Sequence, residues 1–277
     1  MHSRDLADSP PKMDGDTLVV FLSQSGKTSD TMAAARAAVK AGAQTVAITN
    51  LREKQQGSLW FLEKRGGTVF NTHTEIYPEE SLPSTMTYHG TLSLLWHLLA
   101  ELAGEDLYGG LVEAAELTDE LSRDAELEAE AKKVAGELSR GGARYVFGDG
   151  PRYGLARKLG LIMFMEGAKV NAFPLRTEEF THSAIETLEE ENPEKLPLVI
   201  FMPPGGAAFR AQAEKVASFW SDYAPVHRLE PPAGCPPVLS PQPQMVRAEW
   251  LAYHEALLRG VDPGVSKLVN KVRASGL

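Results

Sequence analysis

Cysteine is nearly absent from this chain of 277 residues. Cys235 stands alone, so an intramolecular disulfide and any multi-cysteine zinc or iron–sulfur site are excluded. A lone cysteine fits a reducing compartment. Positive charge is in deficit as well: 28 lysines and arginines face 37 acidic residues, a formal net charge of -9. A surface of that sign does not suit a general nucleic-acid binder, which must neutralise phosphates. It leaves room for a local pocket around a small anion. Long apolar runs are missing too. Stretches such as 92–99 are interrupted and far short of the roughly 20 residues that span a bilayer. The first 16 residues are polar, with no apolar segment of the kind a secretory leader carries, so the cytoplasm is the expected location and no membrane is an expected partner. The seven histidines show no metal-ligand spacing. What remains is ordinary globular composition, 43% hydrophobic and 23% charged. The length suits one large domain or two modest ones.

Residues 1–16 read as an irregular arm, with Ser9-Pro10-Pro11 and no apolar period. Residues 18–22 form a continuous apolar run, as expected of a strand buried on both faces. A polar loop, 23–30, leads into an alanine-rich helix over 31–41, closed by Gly42, and then a strand over 45–49. Strand, loop, helix and strand make a parallel α/β unit. Residues 51–90 are less regular, with Gly66-Gly67, Pro78 and a short strand at 68–70. Helices are expected over 87–103 and, as one long element, over 113–138. A second α/β unit follows. It comprises a strand at 143–147, the turn Gly148-Asp149-Gly150, a helix over 154–168, strands at 170–173 and 197–202, and a helix over 207–223. The proline-rich 230–243 reads as a linker, 246–259 as a helix, and 266–277 as a short basic tail.

The loop Ser23-Gln24-Ser25-Gly26-Lys27-Thr28 carries the most chemistry per residue. In an open parallel sheet, ligands bind beyond the carboxyl ends of the strands. A loop that opens a helix there aims backbone N–H groups and the positive end of the helix dipole at the ligand. The hydroxyls of Ser23, Ser25 and Thr28 can donate to phosphate oxygens. The spacing is not that of a nucleotide P-loop. The plainer reading is a helix cap, with Ser and Thr present only to satisfy free N–H groups.

These residues also carry a resemblance. The stretch 19–50, with Ser-Gln-Ser-Gly-Lys-Thr-Ser-Asp-Thr and the closing Ala47-Ile48-Thr49-Asn50, resembles the sugar isomerase (SIS) domain. The turn from Gly148 to Ala156, the helix ending at Phe164-Met165-Glu166, and Glu178-Glu179-Phe180-Thr181-His182 resemble the second domain of double-SIS proteins. The stretch 259–272 is similar to that family's C-terminal segment. The resemblance runs from about residue 17 to 273 and is nearest to the isomerase half of the glutamine–fructose-6-phosphate amidotransferases and to the fructosamine-phosphate deglycases. It implies an α/β fold of two SIS-type three-layer α/β/α sandwiches with parallel, flavodoxin-like sheets. The expected domains are an arm over 1–16, a first SIS domain over 17–125, a second over 126–244, and a C-terminal helix and active-site tail over 245–277. Only about 16 residues precede the first strand, fewer than a strand and crossover need. The first domain is therefore expected to be shortened at its N-terminus, with its sheet edge open, whether by truncation of the chain or by loss.

Carried over residue by residue, the resemblance implies that Ser23, Gln24, Ser25 and Thr28 contact a sugar phosphate and that Ser84 lines the sugar site. In the stretch 83–88, Met86 stands where the family has lysine. Glu166 would move a proton between C1 and C2 of an open-chain sugar, a role that needs a carboxylate near the carbon-bound proton and shielded from water. His182 would assist ring opening, as suits a side chain that titrates near neutrality. Glu179 would orient it or touch sugar, and Lys271 would sit over the site. The plainer readings are a solvated helix end for Glu166, a capping histidine for His182 and ordinary surface charge for Lys271. The family geometry implies a homodimer with shared sites, and no cofactor or metal. Arg157 and Lys158, and Ser183-Ala184 after His182, depart from the family pattern. The reading is a phosphosugar isomerase, or an isomerase-type deaminase or deglycase acting on an aminosugar 6-phosphate. The competing reading is a non-catalytic sugar-phosphate sensor.

Overall fold

The computed structural model describes residues 1–51, 54, 56–73, 79, 83–189 and 192–274, with backbone alone at 269, 270, 273 and 274. Pro78 lies outside the described residues. Contacts divide the chain into two compact units, 1–80 with 84–107, and 81–83 with 108–277.

The first unit is a parallel three-stranded sheet in the order β1-β2-β3, formed by Leu18–Ser23, Gln44–Thr49 and Thr68–Asn71. Strand residues alternate between two faces. On one face Val19, Phe21, Ala47 and Val69 pack against Met32, Ala34, Ala35 and Ala38 of α2 (Ser29–Lys40) and against Leu59 and Leu62 of a 3-10 turn. The stretch read as an irregular arm contains a helix, α1 (Ser3–Asp8), because Leu6 is drawn into that same core. On the opposite face lie Val46 and Ile48, with α3 (Met86–Ala103) in contact with β2. Gly66 adopts a left-handed conformation to close the 3-10 turn.

The second unit opens with α4 (Tyr108–Ser122) and α5 (Ala125–Leu138). The single long helix expected here is two, because the Asp124 side chain accepts from the N–H groups of Glu126 and Leu127 and starts a new helix. The contact boundary thus falls between 107 and 108, not near 125, since α4 packs on α8 (Pro241–Leu258). The sheet is parallel and four-stranded: β4 (Arg144–Phe147), β5 (Ala172–Leu175), β6 (Leu198–Phe201) and β7 (Val226–Leu229), in the order β5-β4-β6-β7. Chain order reverses direction between β4 and β6, as in flavodoxin-like sheets.

Tyr145, Phe147, Leu198 and Ile200 face α7 (Arg210–Ser221), where Trp220 is the largest fully buried side chain. Arg144, one residue out of phase with Tyr145, faces the other side. There its guanidinium is fully buried and donates to Glu255 of α8 at 2.7 Å. Arg259 donates to the same carboxylate oxygen at 2.8 Å. Burial pulls the Arg144 pKa down against the pull of Glu255. The helix α8 begins five residues before the expected 246, inside the stretch read as a linker. Proline is accepted in the first turn, where N–H groups have no helical partner. It is integral to the second unit, not an extension, because it packs on α5 and on the helix that follows β4. No helix among the described residues is long and apolar enough to cross a membrane.

Candidate functional site

In the first unit the loop after β1 is held in shape by its own hydroxyls. Gly26 N–H donates to Ser23 Oγ at 3.1 Å and Lys27 N–H to Ser25 Oγ at 3.3 Å. Gln24 O accepts from Asn50 N–H at 2.9 Å, which ties the loop to the carboxyl end of β2. Gly26 has φ +58, and a Cβ there would stand 2.7 Å from both Leu51 Cδ1 and Thr49 Oγ1. The position therefore requires glycine. Thr28 occupies the capping position of α2, but its side chain makes no cap hydrogen bond; its hydroxyl lies 3.4 Å from Ser25 Oγ. Ser23 and Ser25 thus satisfy N–H groups of the loop, as the plainer reading expects, while Thr28 takes none of the first-turn N–H groups of α2. Gln24, Ser25 and Thr28 are exposed and Ser23 is half-buried. Asp30 in the same turn lies 3.4 Å from the Arg4 guanidinium. Asn50 donates to Thr72 Oγ1 at 3.2 Å, so polar groups line the carboxyl ends of the strands. Ser84 is half-buried and has φ +57, in the left-handed region.

In the second unit the carboxyl ends of the strands on either side of the reversal of strand order are tied together by side chains. Gly148 cannot carry a side chain, since a Cβ would meet Arg152 O at 2.4 Å. Asp149 turns inward and accepts from Thr177 N–H at 3.1 Å and Thr177 Oγ1 at 2.5 Å, linking the carboxyl ends of β4 and β5. Arg152, in the first turn of α6 (Pro151–Arg157), is buried and donates to Met202 O after β6 at 3.0 Å and to Ser240 Oγ at 2.6 Å. Burial lowers its pKa to about 10. Sequence reasoning missed this Asp149–Thr177 and Arg152 network. Its only local signal was a charged residue set between two glycines.

The chain leaves α6 as a π-helix, Lys158–Ala168, where a regular helix was expected. Such helices are rare and recur at functional sites. Gly160 packs on Pro174 and Gly167 on Pro83 and Pro263. Lys158 Nζ donates to Pro83 O. Glu166 lies in the last turn, half-buried. Among the described residues no hydrogen bond or ion pair occupies its carboxylate. It lines a cavity of about 1000 Å³ whose walls include Leu161 and Met165 on its own helix and Val261, Asp262 and Val265 on the C-terminal segment. Lys169 holds these walls together: its Nζ donates to Glu166 O and, at 3.1 Å, to Val265 O.

The structure therefore brings Glu166 and the C-terminal segment together in one cavity. Lys271 is exposed on α9 (Lys267–Ala274), the helix that starts in the wall of that cavity, but does not line it. Glu179 and His182 are exposed, on and just after the 3-10 turn Thr177–Phe180, and neither lines the cavity.

Residues 3–100 match the family model described as SIS domain. The glutamine–fructose-6-phosphate aminotransferase (isomerizing) of Aeropyrum pernix is 29% identical over 271 residues, which cover 91% of this chain and 42% of that protein. The enzyme of that name from Thermococcus kodakarensis is 29% identical over 274 residues, covering 91% and 43%. The chain thus spans less than half the length of these curated relatives. Among solved structures, the C-terminal domain of glucosamine-fructose-6-phosphate aminotransferase from Francisella tularensis superposes with a TM-score of 0.77 at 16% identity, over 94% of this chain and 76% of that one. Glucosamine-6-phosphate deaminase from Thermotoga maritima gives 0.73 at 17% identity, over 95% and 77%. Tagatose-6-phosphate ketose/aldose isomerase from Escherichia coli gives 0.71 at 13% identity, over 95% and 76%. At these identities the structures show a shared fold.

Proposed function

We propose that this chain, which carries a SIS domain over residues 3–100 and has the fold of phosphosugar isomerases, is an isomerase-type enzyme of sugar 6-phosphates or aminosugar 6-phosphates. The observation that carries the reading is Glu166: a half-buried carboxylate with no partner among the described residues, facing a cavity large enough for a sugar phosphate. In the open-chain form of such a sugar, a carboxylate takes the proton from the carbon next to the carbonyl. The electrons of that C–H bond form a C1–C2 double bond, an enediol or, with an amine, an enolamine. The same carboxylate returns the proton to the neighbouring carbon, and the carbonyl changes place. With an amine, return of the proton to carbon leaves an imine; water adds to the imine carbon, the C–N bond breaks, and the amine leaves as the carbonyl forms, which makes the reaction a deamination or deglycation.

The phosphate falls to the loop of Ser23, Gln24, Ser25 and Thr28, whose uncapped helix start and hydroxyls suit an anion. Ser84 is assigned to the sugar, His182 to ring opening, with Glu179 beside it, and Lys271 to the cover of the site. The proton transfer uses a carboxylate and needs neither cofactor nor metal. A homodimer with shared sites would bring His182 to the site of the other copy. One observation favours a second reading, a sugar-phosphate sensor without turnover: His182 and Glu179 are exposed and lie off the cavity of Glu166. The test is thermal unfolding against a panel of sugar 6-phosphates, with inorganic phosphate and unphosphorylated sugars as controls, followed by turnover assays on whatever binds. A ligand that binds the folded chain raises the midpoint. A shift beyond that of phosphate alone, with turnover, supports the enzyme. A shift without turnover supports the sensor, and no shift removes both.

A further inference from the structure

The second unit holds another cavity, of about 250 Å³, walled by α5, β7 and α8 and sharing no residue with the cavity of Glu166. Leu127 and Val134 of α5 and Leu251 of α8 give it apolar walls. His227 and Arg228 of β7 and Arg247 of α8 give it hydrogen-bond donors. Those donors are under-used. Arg247 Nε and His227 Nε2 are buried and make no hydrogen bond among the described residues. Carboxylates stand near them but pair loosely. Arg247 Nη1 lies 3.5 Å from Glu130, His227 Nε2 3.8 Å from Glu137 and Arg228 Nε 3.8 Å from Glu214, all longer than a well-made hydrogen bond. The three glutamates are well exposed, and pairs of that kind are weak. A buried donor is costly to leave unmade, so two of them in the wall of one cavity call for an acceptor inside it.

Charge and shape narrow the acceptor. Of the residues lining the cavity, Arg228 and Arg247 are positive and Glu130 is negative, which leaves one positive charge in excess. Glu137 and Glu214 do not line it, and Glu214 is engaged by Arg210. Burial favours the neutral form of His227, whose ring can still donate. One negative charge spread over two acceptor oxygens is a carboxylate, the group that the planar guanidinium matches best. A phosphate dianion would set surplus charge against Glu130, and the apolar walls call for hydrocarbon. The volume is below the ~300–1,000 Å³ of clefts that take drug-sized ligands, so the body is small. We infer that this cavity binds a small monocarboxylate with a short hydrocarbon body, its carboxylate on Arg247 and His227 and its body against Leu127, Val134 and Leu251. The site is separate from that of Glu166 and does not rest on the catalytic reading.

The probes are the straight-chain carboxylates from acetate to octanoate, titrated into the full chain by calorimetry. The amine and the alcohol of the best chain length are the controls. Saturable binding of one acid per chain is expected, tightening roughly fourfold for each added methylene until the cavity is full. The two controls should bind about tenfold more weakly or worse, for want of the charge-assisted bond. Arg247→Gln should weaken the acid by about the same factor, and Val134→Phe, which fills the cavity, should abolish binding. Glu130→Gln should tighten binding several-fold, because it removes the carboxylate that competes for Arg247; a damaged fold cannot produce that gain. Circular dichroism checks each variant, and if Arg247→Gln does not fold, Glu130→Gln and Val134→Phe decide. No saturable binding of any acid overturns the inference. So does an amine or alcohol that binds as well as the acid, or an affinity that ignores chain length. Binding unchanged in both Glu130→Gln and Val134→Phe also overturns it, because the acid then sits elsewhere.

Discussion

Gly26→Ala tests whether the loop after β1 is held as described. Two costs separate there. The first is backbone strain, since a residue with a Cβ must adopt φ +58. A left-handed residue other than glycine costs about 1–2 kcal/mol. The second is steric: the new Cβ stands 2.7 Å from Thr49 Oγ1 and Leu51 Cδ1, and Thr49 is fully buried and cannot swing clear. Forcing a methyl into packed surroundings costs a further ~1–3 kcal/mol. Gly42 supplies the control. Its φ is +82, and nothing lies within 4 Å of the position its Cβ would take. Gly42→Ala should therefore lose only the backbone share, about 1–2 kcal/mol, and Gly26→Ala about 2–5 kcal/mol. Equilibrium urea unfolding reads both, and unchanged slopes would show that the comparison is sound. Gly26→Ala should also shrink the thermal shift caused by a sugar phosphate, while Gly42→Ala leaves it intact. Equal stability losses, or an undiminished ligand shift in Gly26→Ala, would refute the loop geometry and its assignment to phosphate.

Glu255→Ala leaves Arg144 buried without its carboxylate and should cost about 3–5 kcal/mol in urea unfolding, whereas the pair Arg144→Met with Glu255→Leu should regain most of the loss. Burial holds the His227 pKa below its unfolded value despite Glu137 at 3.8 Å. The unfolded chain therefore binds the proton first. Stability should fall as pH drops below about 6.5 towards the folded pKa, and His227→Gln should flatten that part of the profile. Burial pushes the Cys235 thiol up, so alkylation at mildly alkaline pH should be slow in the folded chain and speed up in urea.

The parallel α/β character was legible because continuous apolar runs of strand length stand at 18–22 and 198–201; Leu198–Phe201 is buried on both faces as expected of such a run, whereas Leu18 and Leu22 of the first strand are exposed, against the expectation. The loop of Ser23 to Thr28 was legible for the same reason, since a polar, glycine-bearing stretch between such a run and an alanine-rich helix has one place to go. Four features were hidden. The helix Ser3–Asp8 buries only Leu6, and a single apolar residue leaves no period to read. The break at Asp124 sits inside a run of strong helix formers, and only a cap, a local side-chain bond, marks it. The prolines at 241 and 243 look like a linker until their place in the first helical turn is known. The π-helix over Lys158–Ala168 has no propensity signature, and its apolar residues read as those of a regular helix. For the site, Glu166 could be picked out as an acid at the end of an apolar helix, but its cavity depends on a segment almost one hundred residues later, joined by Lys169 to Val265.

The most direct measurement of the central claim is solvent deuterium exchange into bound sugar phosphate. Sugar 6-phosphates that raise the thermal midpoint are incubated with the chain in heavy water, and proton resonance follows C1 and C2. Exchange and interconversion are expected with at least one of them. Glu166→Gln should keep the thermal shift and lose roughly 10²–10⁴-fold in exchange rate. Exchange that persists unchanged in Glu166→Gln would contradict the role of that carboxylate. Ligand binding with no exchange in the unsubstituted chain would contradict the enzyme altogether.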